Sequence, residues 1–297
     1  MMYAGYKVVA ITPGGRKQYL EILREYVREQ PLIDEYHILL NPIDSKGDAS
    51  KADEAYVSGL RSDDCVILQS ASVPDDITHS GDRRRWAIPR LFRFCLDPNT
   101  IYIFLSDDIV WMAPDAIERL LEFRTQYEQY FLVFGNVVNT SMCSYFHQQA
   151  GYFGGKNGAA IRSYKCRKST TDPIFAGEVH ERFLDALSVK VTPWLLKDFT
   201  LNLDQRREIM PLQAFAFYGK ECAYFDGIVP TLSTHEWLCS TYCHEWEMWN
   251  GFCGTALFSH FAHAEQEAYM LNATNFLEAY KKISPGIAND EVSYVKF

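Results

Sequence analysis

Ile101-Tyr-Ile-Phe-Leu-Ser-Asp-Asp-Ile-Val-Trp-Met-Ala-Pro-Asp115 is the stretch from which the rest of the chain can be read. Its first five residues are all apolar and rich in strand formers, which reads as a strand buried on both faces in the middle of a parallel sheet. Ser106, Asp107 and Asp108 follow with no spacer. Two carboxylates against apolar walls repel each other and resist ionisation. A divalent cation removes both penalties, and strand carboxyl ends are where open α/β sheets bind ligands. Asp108, with Asp107, is therefore read as holding a metal against a phosphate-bearing ligand. The plainer alternative is a strand that ends in a polar loop, with the acids capping something nearby. Beyond the acids the chain resumes with Ile109-Val-Trp111, and Pro114 suits the first turn of a helix.

Working outward, Lys7 to Ile11 reads as a short strand and Thr12-Pro-Gly-Gly-Arg16 as a tight turn. Tyr19, Leu20, Ile22, Leu23, Tyr26 and Val27 then recur at helical spacing. Further strands are expected at Tyr36–Leu40, Cys65–Leu68 and Phe131–Phe134, with a helix over 52–61 and another from Pro89 through Leu96. Strand, helix, strand, helix, strand predicts a parallel sheet with helices on both faces. After Gly135 the pattern changes. Residues 156–173 read as a loop, Val179–Leu187 as a helix, and Leu212–Tyr218 with Cys222–Phe225 as a hairpin around Gly219. One final helix is expected from Ala264 to Tyr280. Residues 1–135 form the expected nucleotide-binding half and 136–297 the acceptor-side half, fused in one compact domain.

With 297 residues the chain can bury about three quarters of its unfolded surface. A net charge of −9 excludes a general nucleic-acid-binding field. No apolar run is long enough to span a membrane, and no signal peptide precedes the first strand, so a cytoplasmic protein is expected. Its eight cysteines then read as reduced thiols. The Cys239-x₃-Cys243-His244 spacing invites a zinc site, but no second close pair follows, and buried thiols are the simpler account.

The run from the first strand through Thr-Pro-Gly-Gly-Arg, together with Ile-Tyr-Ile-Phe-Leu-Ser-Asp-Asp-Ile-Val and Asn136-Val-Val-Asn139, resembles the GT-A-type glycosyltransferases. The resemblance spans most of the chain, though only the acidic segment and its strand are specific. It implies a GT-A-like, Rossmann-related α/β fold, with a mostly parallel central sheet flanked by helices and a smaller C-terminal acceptor-side region. It further implies a variant DxD motif in which Ser106 replaces the first acid. Asp107, Asp108 and a late imidazole, His260 or His263, would bind Mn²⁺ or Mg²⁺. That ion would grip the diphosphate of a nucleotide-sugar donor, UDP- or GDP-linked, and stabilise its charge as the sugar leaves. Thr12, Arg16, Arg90, Ser106, Asp107 and Asn136 would line the nucleotide sugar. Glu236, in His235-Glu-Trp-Leu238, would be the base for the hydroxyl of a glycan or other acceptor, a job worth about 10²- to 10⁴-fold in rate. The Thr12–Arg16 turn alone equally fits a Gly turn with a surface Arg, and Glu236 an acid favoured by a helix N-terminus. Two other functions are open: a sugar-phosphate nucleotidyltransferase, and a catalytically silent nucleotide-sugar-binding protein that kept the fold.

Overall fold

The computed structural model describes residues 2–14, 16–40, 48–69, 88–154, 161, 163, 166, 168–189, 194–201, 210, 212–230 and 237–285. Four parallel strands make its first half: β1 (Lys7–Gly14), β2 (Glu35–Leu40), β3 (Cys65–Gln69) and β4 (Thr100–Leu105), ordered β3-β2-β1-β4. Helices α1 (Lys17–Arg28) and α2 (Asp48–Gly59) make the crossovers. The buried face of α1 consists of the same six residues that the helical period picks out.

Beyond β4 the sheet becomes mixed. β5 (Ile109–Met112) and α3 (Ala116–Gln126) precede β6 (Tyr130–Val138), and β7 (Phe199–Leu201), β8 (Ala214–Tyr218) and β9 (Trp249–His260) come later. β8 lies antiparallel between β4 and β6, β9 runs parallel to β6, and β5 and β7 pair antiparallel with β9. Four strand pairs are parallel and four antiparallel, so the mostly parallel expectation describes only the first half. The architecture is an α/β fold with a central sheet flanked by helices. Along β4, Ile101, Ile103 and Leu105 enter one apolar cluster while Tyr102 and Phe104 enter the other. That two-sided burial is what the unbroken apolar run encodes.

The expected hairpin at Gly219 is absent. β8 pairs with β4 and β6 instead, and Gly219–Ala223 is a short helix. The glycine is needed for close approach: a Cβ there would stand 2.0 Å from the Asp97 carbonyl oxygen. Gly219→Ala should therefore lower stability by about 1–3 kcal/mol, read as a lower denaturant midpoint at unchanged slope. Helix α4 (Ser141–Gln149) was not expected, because it is buried on several sides and shows no clean polar face. Helix α5 (Pro173–Ser188) starts earlier than expected: Asp172 caps it by accepting from Ile174 N and Phe175 N, and Pro173 fills its first turn. A helical turn at 88–91 runs into a 3₁₀ turn at Phe92–Phe94, so the helix expected from Pro89 through Leu96 is present but ends early. The last helix is two, α6 (Ala264–Ala273) and α7 (Phe276–Ile283), parted at Thr274 in extended conformation. Among the described residues no helix is long and apolar enough to cross a membrane.

Two buried histidines give the fold a pH signature. His147 packs on Trp194 with ring centroids 5.1 Å apart, and His180 bonds the Tyr280 hydroxyl at 2.7 Å and the Phe261 carbonyl at 2.8 Å. Burial pushes both imidazoles down to about 3. The unfolded chain then binds more protons than the folded one from about pH 6.5 downward. The contribution of these two histidines should be full above pH 6.5 and be lost with acid, by up to about 2 kcal/mol per histidine at pH 5. Urea midpoints from pH 8 to 5 check this, and His147→Phe should flatten the slope.

Candidate active site

β1 and β4 are neighbours, so their carboxyl ends bring the Gly-Arg turn and the acidic turn together. Gly14 lets β1 pass close to β2, since a Cβ there would meet Ile38 Cγ2 at 2.6 Å. Arg16, extended at φ −109°, opens α1. The acidic turn is pinned on two sides: Ser106 N donates to the Gln213 carbonyl at 2.8 Å, and Phe261 N donates to the Asp108 carbonyl at 2.9 Å. The Ile109–His260 pairing of β5 with β9 then brings the imidazole to the same place.

The centre of the cluster is Arg16. Its Nη2 donates to Asp107 Oδ1 at 2.7 Å and to Asp108 Oδ2 at 2.5 Å. Its Nε and backbone N–H donate to Asp107 Oδ2 at 3.1 and 3.2 Å, and Nη1 donates to Glu267 Oε1 at 2.9 Å. The guanidinium carbon lies 4.6 Å from the Tyr19 ring centre, and the Tyr19 hydroxyl donates to the same Glu267 oxygen at 2.8 Å. Burial opposes the charge on Arg16, but Asp107, Asp108 and Glu267 together hold its pKa well above the usual guanidinium range. Burial and the Glu267 carboxylate raise the Tyr19 hydroxyl. The Arg16 side chain keeps 18% exposure, against 1% for Asp107 and 6% for Asp108.

Ser106 Oγ donates to Asp108 Oδ1 at 2.6 Å, and His260 Nε2 lies 3.1 Å from Asp108 Oδ2. His260 Nδ1 is buried without a hydrogen-bond partner among the described residues. The His263 ring centroid is 4.6 Å from that of His260. Its Nε2 donates to the Asn139 carbonyl at 3.0 Å, and its side chain accepts from the Gln266 N–H at the start of α6. Burial, helped by His260, pushes His263 down to about 3.

The other expected site residues are placed differently. Thr12 is fully buried, with its hydroxyl accepting from Tyr36 at 3.0 Å, which braces β1 against β2. Asn136 is also fully buried, and its amide donates to the Trp194 and Gly254 carbonyls, tying β6 to β9. Arg90 is half-buried on the 88–91 turn, where burial and neighbouring Arg93 draw its pKa down. Glu236 lies outside the described residues, and so does the basic run Arg83-Arg-Arg85, which the sequence offers either as a counter-charge for a diphosphate or as a solvated face. Glu267 and Tyr19 were not expected at the site. Both lie in the first turn of a helix, but nothing local in the sequence reports that they converge on Arg16.

The expected metal ligands do not fit an ion as they are folded. Both Asp107 oxygens accept from Arg16, Asp108 accepts from Ser106, Arg16 and His260, and both His263 nitrogens are engaged. Among the described residues no group of three or more His, Cys, Asp or Glu side chains is arranged to hold a metal. The zinc reading has no better support. Cys243 Sγ lies beside Leu238 O and Asn250, Cys253 beside Arg119 O, and burial raises both thiols, to about 12 and about 11.

No protein-family model matches the chain, and neither does any curated protein. Among solved structures it is similar to a CMP-2-keto-3-deoxy-manno-octonic acid synthetase complexed with CTP (11% identity, 90% of this chain and 96% of that one, TM-score 0.45). It is also similar to a 4-diphosphocytidyl-2C-methyl-D-erythritol synthase from Anaerococcus prevotii (11% identity, 93% and 97%, TM-score 0.46). A third is the glucosyl-3-phosphoglycerate synthase of Mycobacterium tuberculosis with Mn²⁺, UDP-glucose and phosphoglyceric acid (14% identity, 62% and 66%, TM-score 0.32). At TM-scores below 0.5 none of these likenesses decides a function, and the site itself has to carry the reading.

Proposed function

We propose that the chain is a nucleotide-sugar enzyme, transferring a sugar from a nucleotide-diphosphate donor to an acceptor hydroxyl at the carboxyl ends of β1 and β4. One observation carries the reading. Arg16, Asp107, Asp108, His260 and Glu267, drawn from segments up to 251 residues apart, converge on one strand-end cluster in which Asp107, Asp108 and His260 are buried while Arg16 and Glu267 keep partial exposure. Strand carboxyl ends at a crossover of this kind are where α/β sheets bind ligands. Arg16 Nη1 carries a second hydrogen besides the one it gives Glu267, and the side chain keeps 18% exposure, which suits it to an anion. Three carboxylates against one guanidinium leave the cluster negative. A diphosphate therefore needs further positive charge, for which the Arg83–Arg85 segment is a candidate.

Nucleotidyl transfer from a nucleoside triphosphate to a sugar phosphate is the second reading, and one feature favours it. Inverting sugar transfer needs a carboxylate to take the acceptor proton. At this cluster Asp107, Asp108 and Glu267 are all engaged by Arg16. A phosphate nucleophile is already ionised and needs no base. Product analysis separates the two: a glycosyl acceptor with nucleotide sugars in one arm, nucleoside triphosphate with sugar phosphate in the other. Asp108→Asn should lower turnover by about 10²- to 10³-fold in whichever arm is active. Unchanged turnover in that variant would move the chemistry elsewhere.

A further inference from the structure

We propose that Arg16 is a built-in counter-cation that keeps free divalent metal out of the Asp107–Asp108 strand end. In the folded chain the guanidinium occupies the position between the two acids that a metal would need. One nitrogen, Nη2, bridges Asp107 Oδ1 and Asp108 Oδ2 at 2.7 and 2.5 Å, and Nε closes a second contact on Asp107. The planar fork of arginine makes this bidentate grip, which a point charge does not reproduce.

Arg16 is also held from behind. Nη1 bonds Glu267, Tyr19 bonds the same Glu267 oxygen, and the guanidinium lies over the Tyr19 ring. A metal ion arriving alone must displace this anchored group and strip Ser106 and His260 from Asp108. It would also gain few ligands, since both His263 nitrogens are committed to the Asn139 carbonyl and the Gln266 N–H. Exclusion of free metal applies equally to either reaction proposed above.

Titration with Mn²⁺ alone, no nucleotide present, reads this directly through the electron-paramagnetic-resonance signal of free Mn²⁺. Arg16→Ala should bind Mn²⁺ at least about tenfold tighter than wild type, and Arg16→Ala/Asp108→Asn should lose that gain. Arg16→Lys keeps the charge without the fork. It should also bind Mn²⁺ tighter than wild type, which keeps the comparison alive if the alanine variant does not fold. Wild type binding Mn²⁺ as tightly as either single variant overturns the proposal. Failure of every nucleotide to bind would count against the proposed function and leave this result unaffected.

Discussion

Arg16→Ala should destabilise the chain by about 3–5 kcal/mol at neutral pH, one of the two largest single-residue effects expected here. The size follows from what remains behind. Asp107 and Asp108 have side chains 1% and 6% exposed, and without the guanidinium two buried, adjacent carboxylates lose the cation that bridges them, while Asp108 keeps Ser106 and His260. Glu267 loses its ion partner as well and, among the described residues, keeps the Tyr19 hydroxyl. Arg16 moreover ties α1 to the β4–β5 turn and to α6, so three sequence-distant segments loosen together. Chemical denaturation of the variant checks the loss. A change under 1 kcal/mol would mean that water reaches the acids freely and that the cluster is not the closed unit described here.

Arg124→Met should cost a similar 3–5 kcal/mol, far from the site. Arg124 is fully buried, with Nη2 donating to Glu221 Oε1 at 2.6 Å and the guanidinium 4.1 Å from the Tyr218 ring centre. Glu221 Oε2 accepts from Tyr218 N at 2.9 Å, closing the short helix after β8. Burial lifts the Glu221 carboxyl to about 7 even with Arg124 beside it. A raised folded-state pKa means stability that is complete below about pH 4.5 and declines as pH rises through 7. The Arg124→Met variant should therefore lose most at pH 8 and least at pH 5. The double variant Arg124→Met/Glu221→Leu should recover most of the loss, because an apolar pair of similar volume avoids the desolvation of both charges. A double variant no better than the single one would show that the pair is worth more than its desolvation cost.

The elements legible in the sequence are those whose burial has a simple period. Ile101–Leu105 is apolar without a break because both of its faces are covered, and α1 shows its inner stripe because its outer face is solvated. Ser141–Gln149 hid its helix because polar Ser141, Ser144 and His147 are themselves buried. Gly219 was read as a hairpin turn, although the constraint on it is the Asp97 carbonyl, a contact that no local pattern reports. At the site, adjacent acids after a buried strand were visible as a chemical problem. The sequence suggested a metal as the solution, whereas the fold supplies an arginine 91 residues upstream. Thr12 and Asn136 were expected at the nucleotide sugar from the family resemblance alone, and in the fold both are buried and hydrogen-bonded to neighbouring segments.

Thermal unfolding with nucleoside diphosphates and triphosphates, each with and without Mn²⁺, bears most directly on the strand-end site. The account predicts that at least one nucleotide stabilises wild type, by about 2.7 kcal/mol at a hundredfold excess over Kd, and that Asp108→Asn abolishes the shift. A wild-type protein unmoved by every nucleotide, or an Asp108→Asn variant stabilised as strongly as wild type, would contradict it.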